Sequence, residues 1–136
     1  MRSNIRGFLC ALLTLVCVGA FAETVGRRRM VFVDGDTFAI GRERFRIENI
    51  DAPESFQSRR ERELVAGLRA KERLGALLPS GPVVVTRTGE DRYRRTLARV
   101  YVAGRDVGGV LIREGLALPW QEGSEAREGR LRHWCG

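Results

Sequence analysis

Residues 27–54 read RRRMVFVDGDTFAIGRERFRIENIDAPE, and the fold turns on the alternation in this stretch. Residues 27–33 begin basic and turn apolar, as a strand does. Asp34-Gly35 is a strong hairpin signal, since both residue types tolerate the positive φ of tight hairpin turns. Thr37 to Ile40 supplies the next strand, and Gly41-Arg42 a second turn. Phe45 to Ile50 alternates apolar and polar residues with the period of a half-buried strand. Three meandering strands in about 25 residues agree with ordinary strand and turn lengths.

Downstream, Pro53 closes the strand region. Ser58 and Glu61 have the spacing of a capping box, and the spacing predicts a helix over residues 59–78, stopped by Pro79 and Gly81. Its apolar positions are Leu64, Leu68, Leu74, Leu77 and Leu78, and its arginines and glutamates form a solvated face. Gly67 and Gly75 weaken it by about 1 kcal/mol each relative to alanine. Val83 to Thr86 reads as a fourth strand, Thr88 to Arg95 as a polar connection, and Thr96 to Val102 as a fifth strand. Asp106 is placed to cap a short helix, Val107 to Glu114, with Gly115 in the left-handed position behind it. From Gln121 onward the chain is polar, and a short or ragged terminal segment is expected. Five strands around one long and one or two short helices suit a mainly β (β+α) architecture, a five-stranded Greek-key barrel of the OB type.

Upstream, Arg2 and Arg6 precede an uncharged apolar run from Phe8 to Val18, and Ala20-Phe21-Ala22 has small-x-small spacing. Residues 1–22 are expected to be a secretory signal peptide, leaving a single domain over residues 23–136 outside the cytoplasm, secreted or periplasmic. The run is shorter than the roughly 20 residues that span a bilayer, and no stable membrane association is expected. Beyond residue 22 there are 22 Lys and Arg against 17 Asp and Glu, a net +5, and Lys71 is the only lysine. An arginine-rich surface suits a polyanionic partner, because guanidinium forks onto phosphate. Of the 3 cysteines only Cys135 lies beyond residue 22, so an intrachain disulfide framework and a cysteine metal site are excluded there. The single His133 excludes a multi-histidine zinc site. Chemistry must rest on carboxylates, arginines and a hard cation.

Three constellations stand out: Asp34-Gly35-Asp36-Thr37, Asp51-Ala52-Pro53-Glu54, and Asp91 to Arg95. Each alone reads as a turn or a charged loop. Together they place Asp36, Asp51 and Glu54 just outside strand ends, with Arg46 and Arg95 on strands that a barrel brings to one mouth. Two carboxylates suit a hard divalent cation such as Ca²⁺. A third suits a water to be deprotonated. Two arginines suit a phosphate whose charge rises in the transition state.

These segments resemble the staphylococcal nuclease (thermonuclease) family over about residues 27–120, with the motifs in the family's order. The resemblance implies an OB barrel that hydrolyses DNA or RNA phosphodiesters and leaves 3′-phosphates. It implies Asp36, Asp51 and the backbone carbonyl of Ala52 as calcium ligands, and Arg46, Glu54 and Arg95 as catalytic residues. Tyr93 is implied beside the bound nucleotide, Arg92 and Trp120 are placed with it as substrate-binding residues, and Asp34 and Thr37 as supporting ones. For Trp120 a barrel-plugging role is the alternative. Arg94 stands where the family usually has glycine, and the family's long last helix is shortened. Cys135 is free or joins two chains. A single-stranded substrate is expected to be preferred, because its bases can stack, and a monomer is expected. The alternative function is a non-catalytic OB module that binds nucleic acid or a protein partner. A membrane-active basic protein ranks last, since residues 59–78 carry both charge signs.

Overall fold

A computed structural model describes residues 21–25 and 29–136. The expected signal peptide therefore lies outside the described residues, except for its last two positions. The strands are β1 (Ala22–Val25), β2 (Met30–Asp34), β3 (Thr37–Ile40), β4 (Glu43–Ile47), β5 (Ile50–Asp51), β6 (Val83–Glu90), β7 (Thr96–Val102), β8 (Arg105–Asp106) and β9 (Leu118–Pro119). The helices are α1 (Glu61–Leu77), α2 (Val107–Arg113) and α3 (Ser124–Cys135).

The main sheet runs β1-β6-β7-β4-β3-β2, with β8 added to β7. The five expected strands are its consecutive members β6-β7-β4-β3-β2. All neighbours are antiparallel except β4 and β7, which run parallel, Phe45 facing Thr96 and Ile47 facing Ala98. That pairing makes the sheet an OB-like β+α fold rather than a plain meander. Its inner face is apolar: Phe38 stacks on Phe45 with centroids 5.2 Å apart, and Ile47, Ile50, Val85, Ala98 and Val100 are sealed from solvent around them. No helix among the described residues is long and apolar enough to cross a membrane.

Several sequence expectations are corrected. The segment Phe45 to Ile50 is not one strand. It breaks at Glu48-Asn49, and Ile50–Asp51 pairs instead with Leu118–Pro119, far away in sequence. The connection expected from Thr88 is part of β6, which continues to Glu90 opposite Thr96 across a register shift near Gly89. The end of the chain is not ragged. It forms the 12-residue helix α3, anchored where Trp134 is buried and packed against α1. A strand not read from the sequence, β1, pairs with β6, Ala22 facing Thr86.

Helix α1 also departs from its capping box. Ser58 does not cap it; Arg60 is the N-cap and contributes no side-chain bond. The backbone N–H of Arg59 is instead taken by the Glu63 carboxylate at 2.7 Å. The buried face is Glu63, Gly67, Ala70, Leu74 and Leu77, a clean helical spacing. Leu68, expected to be buried, is about half exposed. Small residues replace leucines in the first half of the helix because the backbone of the site lies directly beneath. A Cβ on Gly67 would sit 2.6 Å from the Glu54 carbonyl oxygen, and one on Gly35 would sit 2.5 Å from the Cβ of Ala70. By contrast α2 begins as read: Asp106 accepts the Gly108 N–H at 3.1 Å, and Gly115 closes it with φ +72°.

Candidate active site

Three short segments meet at the barrel mouth and a helix walls it off. The β2–β3 turn carries Asp34 and Asp36, the segment after β5 carries Ala52 and Glu54, and the β6–β7 turn carries Tyr93 and Arg95. Side-chain and backbone bonds tie these segments into the fold. Asp34 accepts the Ser55 N–H at 3.1 Å and its hydroxyl as well, which ties the Glu54 loop to the hairpin. Asp36, buried, accepts the Thr37 hydroxyl at 2.8 Å and the Ala52 N–H at 3.3 Å. The cleft between these elements has a volume of about 890 Å³ and is lined by Asp34, Asp36, Arg46, Asp51, Ala52, Glu54, Arg92, Tyr93, Arg95 and Trp120. The structure thus brings the nominated residues to one cleft. Thr37 stands just behind it, through its bonds to Asp36 and Arg95.

Arg46 is the centre of the charge pattern. Its Nη2 lies 3.6 Å from Asp36 Oδ2 and 3.6 Å from Asp51 Oδ1, and it donates to the Ile50 carbonyl at 3.4 Å. Arg95 is aimed by three bonds. Its Nε donates to Asp91 at 2.8 Å, its backbone N–H to the same carboxylate at 3.0 Å, and its Nη1 to Thr37 at 3.2 Å. Asp91 loses some ease of ionisation to burial, but the bonds from Arg95 and from the Tyr93 N–H outweigh it and hold its carboxyl below the usual range.

The turn that carries Arg95 contains a strained residue. Arg94 has φ +61°, the left-handed region that a Cβ disfavours. Strain of roughly 1–3 kcal/mol is reduced on substitution by the extra unfolded-state freedom of glycine, about 0.5–1 kcal/mol. Arg94→Gly is therefore expected to raise the melting temperature by a few degrees, read by a thermal melt beside the parent chain.

Crowding shapes the carboxylates. Burial first, then the neighbouring Asp36 and Glu63, push Asp51 up to about 6 against the opposing pull of Arg130 and Arg46. Glu54 reaches solvent, but the protein packed around its carboxyl, and then Asp34, Asp36, Glu63 and Asp51, raise it above the usual carboxylate range. Among the described residues no three His, Cys, Asp or Glu side chains converge into a metal-holding set of their own. What converges is a pair, Asp36 and Asp51, whose mutual repulsion and hard oxygen donors fit a divalent cation that keeps waters and takes a carbonyl.

Sequence reasoning missed the α3 wall. Arg130 Nε lies 3.3 Å from Asp51 Oδ2, and its guanidinium lies 4.5 Å from the ring centroid of Trp120. Arg46 lies 4.7 Å from the same ring. Trp120 is thus not a barrel plug; it is 41 % exposed and lines the cleft between cations. Nothing local in the sequence ties Arg130 to Asp51, 79 positions earlier. Cys135 forms no disulfide among the described residues and lies with its sulfur 3.5 Å from the buried Glu63 carboxylate.

A family model described as staphylococcal nuclease homologue matches residues 44–133. A micrococcal nuclease of Shigella flexneri is 32% identical over 155 residues, covering 96% of this chain and 84% of that protein. A succinoglycan biosynthesis protein, ExoI, of Rhizobium meliloti is 34% identical over 120 residues, and an uncharacterized endonuclease of Haemophilus influenzae is 30% identical over 117. They cover 85% and 82% of this chain, which spans 62% of the length of each.

Proposed function

From the premise that the chain belongs to the staphylococcal nuclease homologue family, we propose that it is a calcium-dependent nuclease. It hydrolyses DNA or RNA phosphodiesters with low sequence specificity, leaves 3′-phosphate ends, prefers single strands, and acts as a monomer outside the cytoplasm. The observation that carries the reading is the gathering of Asp36, Asp51, Glu54, Arg46 and Arg95 in one cleft. The alternative, a binding module without turnover, leaves the proximity of Glu54 to this charge cluster without a purpose. Nuclease relatives support the catalytic reading.

Asp36, Asp51 and the Ala52 carbonyl would hold the calcium ion. When bound, the ion supplies positive charge that polarises a phosphate oxygen and orders a water. Glu54 accepts the proton of the attacking water. Its pKa, raised by burial and by the neighbouring carboxylates, makes it a better base than a free carboxylate. Arg46 and Arg95 fork onto the phosphate and stabilise the charge that grows as the 5′-oxygen departs. Contacts to phosphate rather than to base edges give breadth of substrate, and Trp120 and Tyr93 offer faces on which unpaired bases stack.

The test is cleavage of single-stranded DNA by the purified protein with Ca²⁺ or with chelator, beside Glu54→Ala. Cleavage that is lost in chelator, and lost by about a hundredfold or more in the variant, supports the reading. Binding without cleavage by a folded protein favours the module. Asp36→Ala is expected to raise the Ca²⁺ concentration needed for half-maximal cleavage by about tenfold or more, measured by titration of the metal.

A further inference from the structure

The calcium reading leaves one residue unexplained. Both oxygens of Asp51 are engaged by guanidinium groups, Oδ1 by Arg46 and Oδ2 by Arg130. Arg46 bridges Asp36 and Asp51 at 3.6 Å on each side, from a strand of the barrel. Arg130 is different. It reaches in from the outermost helix and holds only Asp51 among the carboxylates. Its remaining contacts are a bond from Nη1 to the Gln121 carbonyl at 2.8 Å and the face of Trp120. Its side chain is only 14 % exposed, so it covers the carboxylate rather than trailing in solvent.

We infer that Arg130 is a cationic latch on Asp51. It neutralises the carboxylate in the metal-free protein, must release it for a divalent cation to bind, and then presents its charge to the substrate's phosphates from the α3 side. The inference rests on the calcium reading and extends it, because metal and nucleic acid then bind cooperatively. A cation beside a released arginine is repelled by it, and a polyanion relieves that repulsion. Trp120 keeps the released guanidinium in the cleft, since an arginine stacks on an aromatic face while its edge forks onto phosphate.

The experiment uses the full chain. Calorimetric titration with Ca²⁺ at pH 8, without nucleic acid, is expected to show Arg130→Gln binding about tenfold tighter than the parent, the order by which one close opposite charge alters a carboxylate's affinity for a cation. A second arm uses the Glu54→Gln background to prevent turnover and measures binding of a short single-stranded oligonucleotide at saturating Ca²⁺ across salt concentrations. Arg130→Gln is expected to lower the slope of log K against log salt by about 0.7, one phosphate contact on a single strand. Arg130→Lys, which keeps the charge, is expected to keep that slope. Equal or weaker Ca²⁺ binding by Arg130→Gln, or an unchanged salt slope, overturns the latch while calcium binding by the parent leaves the calcium reading standing. A structural role only, with a lower melting temperature and both affinities reduced, overturns it in the same way. A folded parent that binds no Ca²⁺ overturns both.

Discussion

Arg95→Ala is expected to lower kcat by about a hundredfold to a thousandfold, the usual loss when one preorganised donor to transition-state charge is removed. The melting temperature should change by only a few degrees. The side chain is aimed rather than merely present: Asp91 takes its Nε and its backbone N–H, and Thr37 takes Nη1 while itself donating to Asp36. Arg95 is therefore wired to the Asp36 carboxylate through a single hydroxyl. Arg95→Lys keeps the charge but loses the fork, so it should recover only a small part of the rate. Steady-state kinetics on single-stranded DNA, beside thermal melts, measure both quantities. Wild-type kcat in Arg95→Ala, in a protein that cleaves, removes Arg95 from the mechanism.

Gly67→Ala is expected to destabilise the fold by about 2 kcal/mol or more, although helix propensity alone argues for a gain of about 1 kcal/mol. The two effects have opposite signs, and the contact decides. The added Cβ would lie 2.6 Å from the Glu54 carbonyl oxygen, 2.7 Å from its carbon and 2.8 Å from the Pro53 oxygen. These are backbone atoms and cannot swing aside. Either α1 lifts from the loop or the loop moves, and Glu54 moves with it. Activity per folded molecule should fall together with stability, by tenfold or more when geometry shifts by about 1 Å. Denaturant melts and kcat report the two losses. A stabilised Gly67→Ala would mean that propensity rather than close approach governs this position.

What was legible in the sequence was local. The Asp34-Gly35 turn, the alternation in β7, and the Asp106 cap each depend on neighbours within a few residues, and all three appear where they were expected. The site residues were legible for a related reason, because they sit in short motifs at strand ends. The rest depended on partners distant in sequence. Ile50–Asp51 becomes its own strand only because Leu118–Pro119 lies beside it. Helix α3 carries polar residues on nearly every face and buries Trp134 alone, so it offers no apolar period to read. The capping box failed because the helix begins two residues later, with Arg60 as its N-cap and Glu63 reaching back to the Arg59 N–H. Arg130 went unseen because it belongs to that unread helix.

The parallel pairing of β4 with β7 has a consequence for the order in which the molecule gains its properties. Residues 45–47 must meet residues 96–98 across a helix and a hairpin, and contacts that close long loops form late and slowly. Asp36, Arg46, Asp51 and Glu54 lie on one side of that seam, and Arg95 on the other. The chain can build its first hairpins, and even its long helix, while Arg46 and Arg95 are still apart. In refolding, cleavage should therefore appear with the last kinetic phase, after the far-ultraviolet signal has returned. A destructive activity that exists only once the seam has closed is silent in every partly folded form of the chain.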